Sequence, residues 1–98
     1  VRAGAERLDN TAENAQYIRV AEAIAHPRYS FRTVYNDIAI LKLANSFKWT
    51  TTVKPICLMS KPVNEIQMSE NISLIVTGWG ATDVGGESSN TLLRTPSL

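Results

Sequence analysis

The sequence predicts a predominantly β chain, and three observations carry that prediction. Ile38–Leu43 is a short, mostly apolar run, which is typical of a strand buried on both faces. Leu74–Thr77 is rich in β-branched residues and stops at a Gly-Trp-Gly tripeptide, which predicts a second strand. Turn-forming stretches separate the elements, and residues 85–90 (Gly-Gly-Glu-Ser-Ser-Asn) predict a flexible loop.

The segment over residues 17–25 favours a different structure. Its apolar residues recur at helical spacing, and its alanines add helix propensity. Local reasoning alone therefore predicts a helix that ends at His26-Pro27, because the residue before a proline is disfavoured in a helix. Residues 1–16 predict a strand end and an exposed loop, and residues 28–36 predict another loop. Prolines at 55 and 62 make residues 44–67 a connection rather than an element.

Composition excludes several classes of protein. The chain has 98 residues, 44% of them apolar, and a net charge of +1, which suits one small globular domain. Its basic residues are scattered, so the sequence predicts neither a nucleic-acid partner nor a membrane-surface partner. No apolar run approaches the roughly 20 residues that cross a bilayer. The chain begins with Val1 instead of methionine, and we expect both ends to be cuts through a longer sequence.

Three stretches in a fixed order resemble parts of the chymotrypsin/trypsin-like serine proteases. Residues 35–43 (Tyr-Asn-Asp-Ile-Ala-Ile-Leu-Lys-Leu) resemble the segment around the triad aspartate of that family. Residues 76–80 (Val-Thr-Gly-Trp-Gly) resemble its Gly-Trp-Gly strand, and residues 53–58 (Val-Lys-Pro-Ile-Cys-Leu) resemble the segment that crosses between its two barrels. The resemblance implies an internal piece of a secreted protease, of the two-chain regulatory type, that uses no cofactor.

The fold that this resemblance implies is all-β, with two six-stranded Greek-key barrels in the parent protein. Residues 1–47 would be the end of the first barrel, residues 48–70 the linker, and residues 71–98 the start of the second barrel. The family also has strands through residues 17–24. We therefore adopt strands there, against the local helical pattern, because tertiary pairing can outweigh propensity.

Asp37 is the residue to which the resemblance gives a catalytic role. In a triad, a histidine takes the proton of the nucleophilic serine, and an ionised aspartate fixes and stabilises that histidine. We expect Asp37 to be held rigidly and away from water just before its strand. The family's serine and catalytic histidine would lie outside these residues, so we expect the chain alone to be inactive. His26, the single histidine, matches a loop residue with a structural or solvated role.

Other positions match the family one by one. Tyr29 and Val34 match residues that line substrate pockets, although local packing is an open alternative for both. Ala5 and Ala15 stand where calcium-binding members carry acidic side chains, so we expect no metal site. Asn71-Ile72-Ser73 is the only glycosylation sequon, and we expect a glycan on Asn71.

Cys57 is the only cysteine, and composition leaves its role open. It could be a buried free thiol, which composition favours, a reactive thiol, or half of a bridge to another chain. The resemblance favours the bridge, because Cys57 matches a cysteine that links the catalytic domain to a light chain or pro-domain. Such a disulfide implies an extracellular protein.

The resemblance thus predicts part of a serine endopeptidase that cleaves protein or peptide substrates and needs the remainder of its protease domain. One alternative is a non-catalytic homologue that acts as a binding or cofactor protein. Another is a free-standing β-rich interaction module that dimerises through Cys57. That module would have to tolerate open strand edges and exposed apolar faces, which makes it the weaker alternative.

Overall fold

A computed structural model describes residues 1–9, 14–66 and 73–97 of the chain. Within these ranges it contains six strands and one turn of 3-10 helix, Val63–Glu65, and no α-helix. The strands form three antiparallel pairs, β1–β2, β3–β4 and β5–β6. The all-β fold class is therefore confirmed. Their bounds are β1 Arg2–Ala3, β2 Gln16–Tyr17, β3 Val20–Ala25, β4 Ala39–Leu43, β5 Leu74–Gly78 and β6 Leu93–Ser97.

Strand β3 stands where the local pattern predicts a helix, and it forms a hairpin with β4. Its register places Glu22 opposite Lys42 and Ile24 opposite Ile40. The first pair forms an exposed ion pair, with 3.8 Å between the Lys42 Nζ and Glu22 Oε2 atoms. The strand partner satisfies the backbone groups and brings two isoleucines face to face, which outweighs the helix propensity of the alanines. The strands adopted from the family resemblance are thus the correct interpretation of this segment.

The sequence predicts that both faces of β4 are buried, but in the structure they are exposed. Ile40 is 62% exposed and Leu41 is 51% exposed, although the apolar run predicts a strand buried on both faces. The expectation is wrong because, among the residues that the structure describes, β4 has one strand partner and no packed layer over either face. Val53 is the only buried apolar residue in the parts of the chain that the structure describes.

The chain divides into two units, and the first comprises Val1–Gly4 and Ala12–Lys54. Gly4 has a φ of 84°, a left-handed conformation that side chains rarely adopt. A Cβ at this position would lie 3.0 Å from the Val53 Cγ2 atom, so the close approach also favours glycine.

Gln16 connects β2, through side-chain hydrogen bonds, to the segment that follows β4 in the first unit. Its side-chain Nε2 donates a hydrogen bond to the Lys48 carbonyl at 2.6 Å. Its Oε1 accepts one from the Lys48 backbone N–H at 2.8 Å. The glutamine amide therefore takes the place of one residue of a strand partner, because it pairs with both backbone groups of Lys48.

The second unit comprises Ala5–Thr11 and Pro55–Leu98. In it, the carbonyl of Glu6 accepts two hydrogen bonds, one from the Trp79 indole Nε1 at 2.8 Å and one from the Leu92 N–H at 3.0 Å. The early segment of the chain is therefore bound to the hairpin of β5 and β6 through its backbone.

Arg7 strengthens the same attachment. Its backbone forms an antiparallel bridge to Thr91, and its Nη1 donates to the Thr91 hydroxyl at 3.0 Å. Its guanidinium also forms an ion pair with Asp9, with a shortest distance of 2.7 Å. Hydrogen bonding to Asp9, together with the charge of that carboxylate, raises the pKa of Arg7. Both side chains are exposed, so this pair orients the segment more than it stabilises the fold.

Candidate functional site

The loop between β3 and β4, residues 26–38, carries three of the residues that the sequence singles out. The hairpin ladder ends at Ala25 opposite Ala39, and one further hydrogen bond closes the base of the loop. In that bond the His26 N–H donates to the Ile38 carbonyl at 3.0 Å. Tyr29, Val34 and Asp37 all lie in the segment that this bond encloses.

Asp37 lies at the centre of a three-residue turn directly before β4. The Ile38 N–H donates to the Asn36 carbonyl at 2.8 Å, which spans Asp37 in the manner of a γ-turn. Asn36 is the only non-glycine residue with a positive φ, 61°, in the described parts of the chain. The backbone of Asp37 is therefore constrained on both sides.

The side chain of Asp37 differs from the expectation of a dry site. The residue is exposed, and within the described residues its carboxylate has no hydrogen bond and no ion pair. The reason is the uncovered hairpin, because no layer in the described parts of the chain packs over β4 to exclude water from the adjoining turn.

His26 is held within the same loop and is not paired with Asp37. Its Nδ1 atom accepts a hydrogen bond from the Arg28 N–H at 3.0 Å. This bond requires Nδ1 to be unprotonated, so the neutral ring carries its proton on Nε2. The half-buried His26 thus has a structural part in the loop, in agreement with the role that the sequence predicts.

Tyr29 and Val34 occupy the outer part of the loop. The Tyr29 N–H donates to the His26 carbonyl at 3.0 Å, and its ring is 46% exposed. Val34 is 91% exposed, so within the described residues it does not pack as the local-packing alternative requires. The structure therefore brings these two residues onto the loop that contains Asp37.

The other predicted sites lie elsewhere. Cys57 is exposed in the second unit and forms no disulfide within the described residues, so it is not the buried thiol that composition favours. Ala5 and Ala15 belong to different units and are both partly buried. Asn71, the predicted glycosylation site, lies outside the described residues. Within the described ranges, no cluster of three or more His, Cys, Asp or Glu could hold a metal ion.

Two further residues have roles that the sequence does not reveal. Trp79 donates its indole N–H to the backbone carbonyl of Glu6 at 2.8 Å. Asn36 adopts its left-handed conformation beside Asp37, and its type is the one available signal, because asparagine is enriched at positive φ.

Comparisons with known proteins identify the family of the chain. The sequence profile described as Trypsin matches residues 1–96 of the chain. The chain belongs to the trypsin family. It is 37% identical over 92 residues to the serine protease snk of Drosophila melanogaster, and 42% identical over 73 residues to a trypsin of Phaedon cochleariae. It also matches a solved structure of GrC with a TM-score of 0.76 and 34% identity.

The chain is short compared with the relatives that it matches. The matched parts are 94% of this chain and 20% of snk, and 74% of this chain and 27% of the Phaedon trypsin. The match to GrC covers 95% of this chain and 40% of that chain. This trypsin-family chain therefore spans less than half the length of the relatives that it matches. No helix in its described part is long and apolar enough to cross a membrane.

Proposed function

We propose that the protein carrying this chain is a trypsin-like serine endopeptidase in which Asp37 is the triad aspartate. One observation carries the proposal: in a chain of this family, an aspartate lies in a hydrogen-bonded turn directly before β4. A serine and a histidine outside these residues would supply the nucleophile and the base. Ionised Asp37 would accept the imidazole N–H of that histidine, fix its tautomer and stabilise the imidazolium that forms.

The domain division follows from the same proposal. Residues 1–47 would complete the first barrel, residues 48–70 would form the linker, and residues 71–98 would begin the second barrel. The partner that this requires is the remainder of the protease domain. Support comes from the apolar faces of the hairpins, since Ile40 on β4 and Ile75 on β5 are each about three-fifths exposed. Covering them would gain roughly 25 cal/mol per Å² of apolar surface.

Substrate contact is assigned to the loop of residues 26–38. Protein or peptide substrates would pack against Tyr29 and Val34, whose apolar side chains are available on that loop. Burying two such side chains against a peptide would favour substrates with apolar residues beside the scissile bond.

Cys57 is assigned to a disulfide with a light chain or pro-domain, in an extracellular protein. Its exposure supports this assignment, because a bridge to another chain needs an accessible sulfur. The sequon at Asn71 fits the same oxidising, secreted location.

No metal site is assigned to the early loop. Ala5 and Ala15 carry methyl groups where calcium would need oxygen ligands. The melting temperature of the full-length protein should therefore be the same with calcium and with a chelator. A calcium-dependent rise in that temperature would contradict the assignment.

The test of the proposed function uses the full-length protein and the variant Asp37→Asn. We expect kcat on a peptide substrate to fall by about 10⁴-fold, since an amide would stabilise the wrong imidazole tautomer. Asp83→Asn is the matched control, because Asp83 is also exposed and lies in a loop of the second unit. This control should retain activity within about twofold.

Covalent labelling distinguishes the enzyme from the non-catalytic homologue. A fluorophosphonate forms a bond from the activated serine oxygen to phosphorus and releases fluoride. We expect the wild-type protein to be labelled and the 98-residue chain alone to stay unlabelled. A full-length protein that, after activation into its two chains, neither cleaves peptides nor reacts would establish the homologue and refute the endopeptidase.

A further inference from the structure

Four hydrogen bonds form a closed ring at the base of the loop that carries Asp37. The Arg28 N–H donates to His26 Nδ1 at 3.0 Å, and the Asn36 Nδ2 donates to the Arg28 carbonyl at 3.4 Å. The Ile38 N–H donates to the Asn36 carbonyl at 2.8 Å, and the His26 N–H donates back to the Ile38 carbonyl at 3.0 Å. We call His26, Arg28, Asn36 and Ile38 the loop ring.

Asp37 lies inside this ring without contributing a bond to it. It is covalently joined to two ring members, Asn36 on one side and Ile38 on the other. The ring therefore fixes where the Asp37 backbone lies and in which direction its Cβ leaves the chain, while the carboxylate stays available for another partner.

Asn36 is the ring member with the most demanding conformation. Its φ of 61° is left-handed, which favours glycine and, among residues with a side chain, asparagine and aspartate. Glycine would adopt this φ but would lack the amide that reaches Arg28, and aspartate would present an acceptor to that carbonyl. Asparagine is the residue that meets both requirements.

We propose that Asn36 is the positioning residue of Asp37, and that it acts through the loop ring. The inference rests on the proposed function, because it assigns to Asn36 the placement of a triad aspartate. Small displacements matter in such sites, since a group misplaced by about 1 Å can cost roughly 10²-fold in rate. Asn36 touches neither the substrate nor the reacting atoms in this proposal.

The test compares three variants of the full-length protein. Asn36→Ala removes the amide and disfavours the left-handed φ, so we expect kcat to fall about tenfold. Asn36→Gly removes the amide and keeps the φ accessible, so a fall of about threefold is expected. Asn45→Ala is the control, because Asn45 lies just beyond β4 of the same hairpin, and it should stay within about twofold.

Two readouts separate positioning from a merely structural role. The rate of labelling by a small fluorophosphonate should fall in parallel with kcat, because that probe needs the activated serine but not the extended substrate pockets. The acid limb of the kcat/KM profile should move to lower pH. A displaced Asp37 stabilises the imidazolium less, and the pKa of the catalytic histidine then falls. Rates are expressed per active site titrated, which corrects for any misfolded fraction.

Each result has a defined meaning. Unchanged labelling by Asn36→Ala, with only KM raised, would overturn the inference, because the ring would then shape substrate contacts alone. The inference would also be overturned if Asn36→Ala lost no more labelling than Asn45→Ala does. If Asp37→Asn abolishes activity in the same experiment, the proposed function survives that outcome. If Asp37→Asn keeps full activity, both the proposed function and the inference fall.

Discussion

Trp79→Phe tests how the early segment of the chain is attached to the second unit. The indole Nε1 donates to the Glu6 carbonyl at 2.8 Å, and phenylalanine keeps an aromatic ring but removes this donor. The carbonyl keeps its second hydrogen bond, from the Leu92 N–H at 3.0 Å. No buried acceptor is orphaned, so the expected cost lies at the low end for a neutral hydrogen bond, about 0.5–1 kcal/mol.

Lost ring area adds to that cost. Trp79 is partly buried, so the smaller ring gives up some apolar contact, and we expect a total loss of about 1–2 kcal/mol in the free energy of unfolding. Trp49→Phe supplies a matched control. Trp49 is 73% exposed and has no hydrogen bond from its indole within the described residues, so its substitution should cost less than about 0.5 kcal/mol.

Urea unfolding of the full-length protein measures both variants, with the slope against denaturant required to stay constant. Hydrogen exchange gives a local reading, because the Leu8 N–H donates to the Asn90 carbonyl at 2.8 Å in the same attachment. In Trp79→Phe the amides of Leu8 and Leu92 should exchange faster, while those of β3 should not change. Equal stability losses in the two tryptophan variants, or unchanged exchange at Leu8, would refute the reasoning.

Three further predictions concern single side chains and the isolated chain. Gln16→Glu replaces the amide donor with a carboxylate oxygen that faces the Lys48 carbonyl, so thermal unfolding should show a loss of about 1 kcal/mol; no loss would mean that the amide pairing is dispensable. Cys57→Ser should let the two chains of the activated protein separate on non-reducing electrophoresis, whereas wild-type chains that separate without reductant would exclude the disulfide. The 98-residue chain alone should melt without a cooperative transition, as followed by circular dichroism, because the single buried apolar residue among its described residues cannot hold the hairpins together. A sharp transition would instead favour the free-standing module.

The strands show how far local sequence carries the fold. Strands β4 and β5 were predictable because each is a short run of apolar or β-branched residues with turn signals at its ends. β3 was not predictable locally, since its alanines and spaced apolar residues fit a helix equally well, and its pairing with β4 decides the matter. β6 carried no signal at all, because Pro96 argues against a central strand. It is tolerated here because a two-stranded sheet consists of edges.

The candidate site was also only partly predictable from the sequence. Asp37 could be picked out from its motif, but its surroundings depend on contacts between residues two to twelve positions apart. No pattern in the sequence indicates that a histidine nitrogen, a backbone carbonyl and an asparagine amide will close into one ring. Such bonds arise from the path of the loop in space, which periodicity and propensity do not encode.

The position of Asp37 links the folding of the proposed enzyme to its chemistry. Its turn is completed by local hydrogen bonds, so the direction in which its Cβ leaves the chain is set within the loop. Its solvent environment does depend on the rest, because the adjoining Ile38 and Ile40 are exposed in this chain. A domain that packs over these isoleucines would remove water from the carboxylate in the same step, and would strengthen its interaction with a catalytic imidazole. In the proposed enzyme the loop ring would therefore account for the geometry of Asp37, and barrel assembly would account for its electrostatics, so Asn36→Ala and the loss of covering partners should impair the proposed triad in different ways.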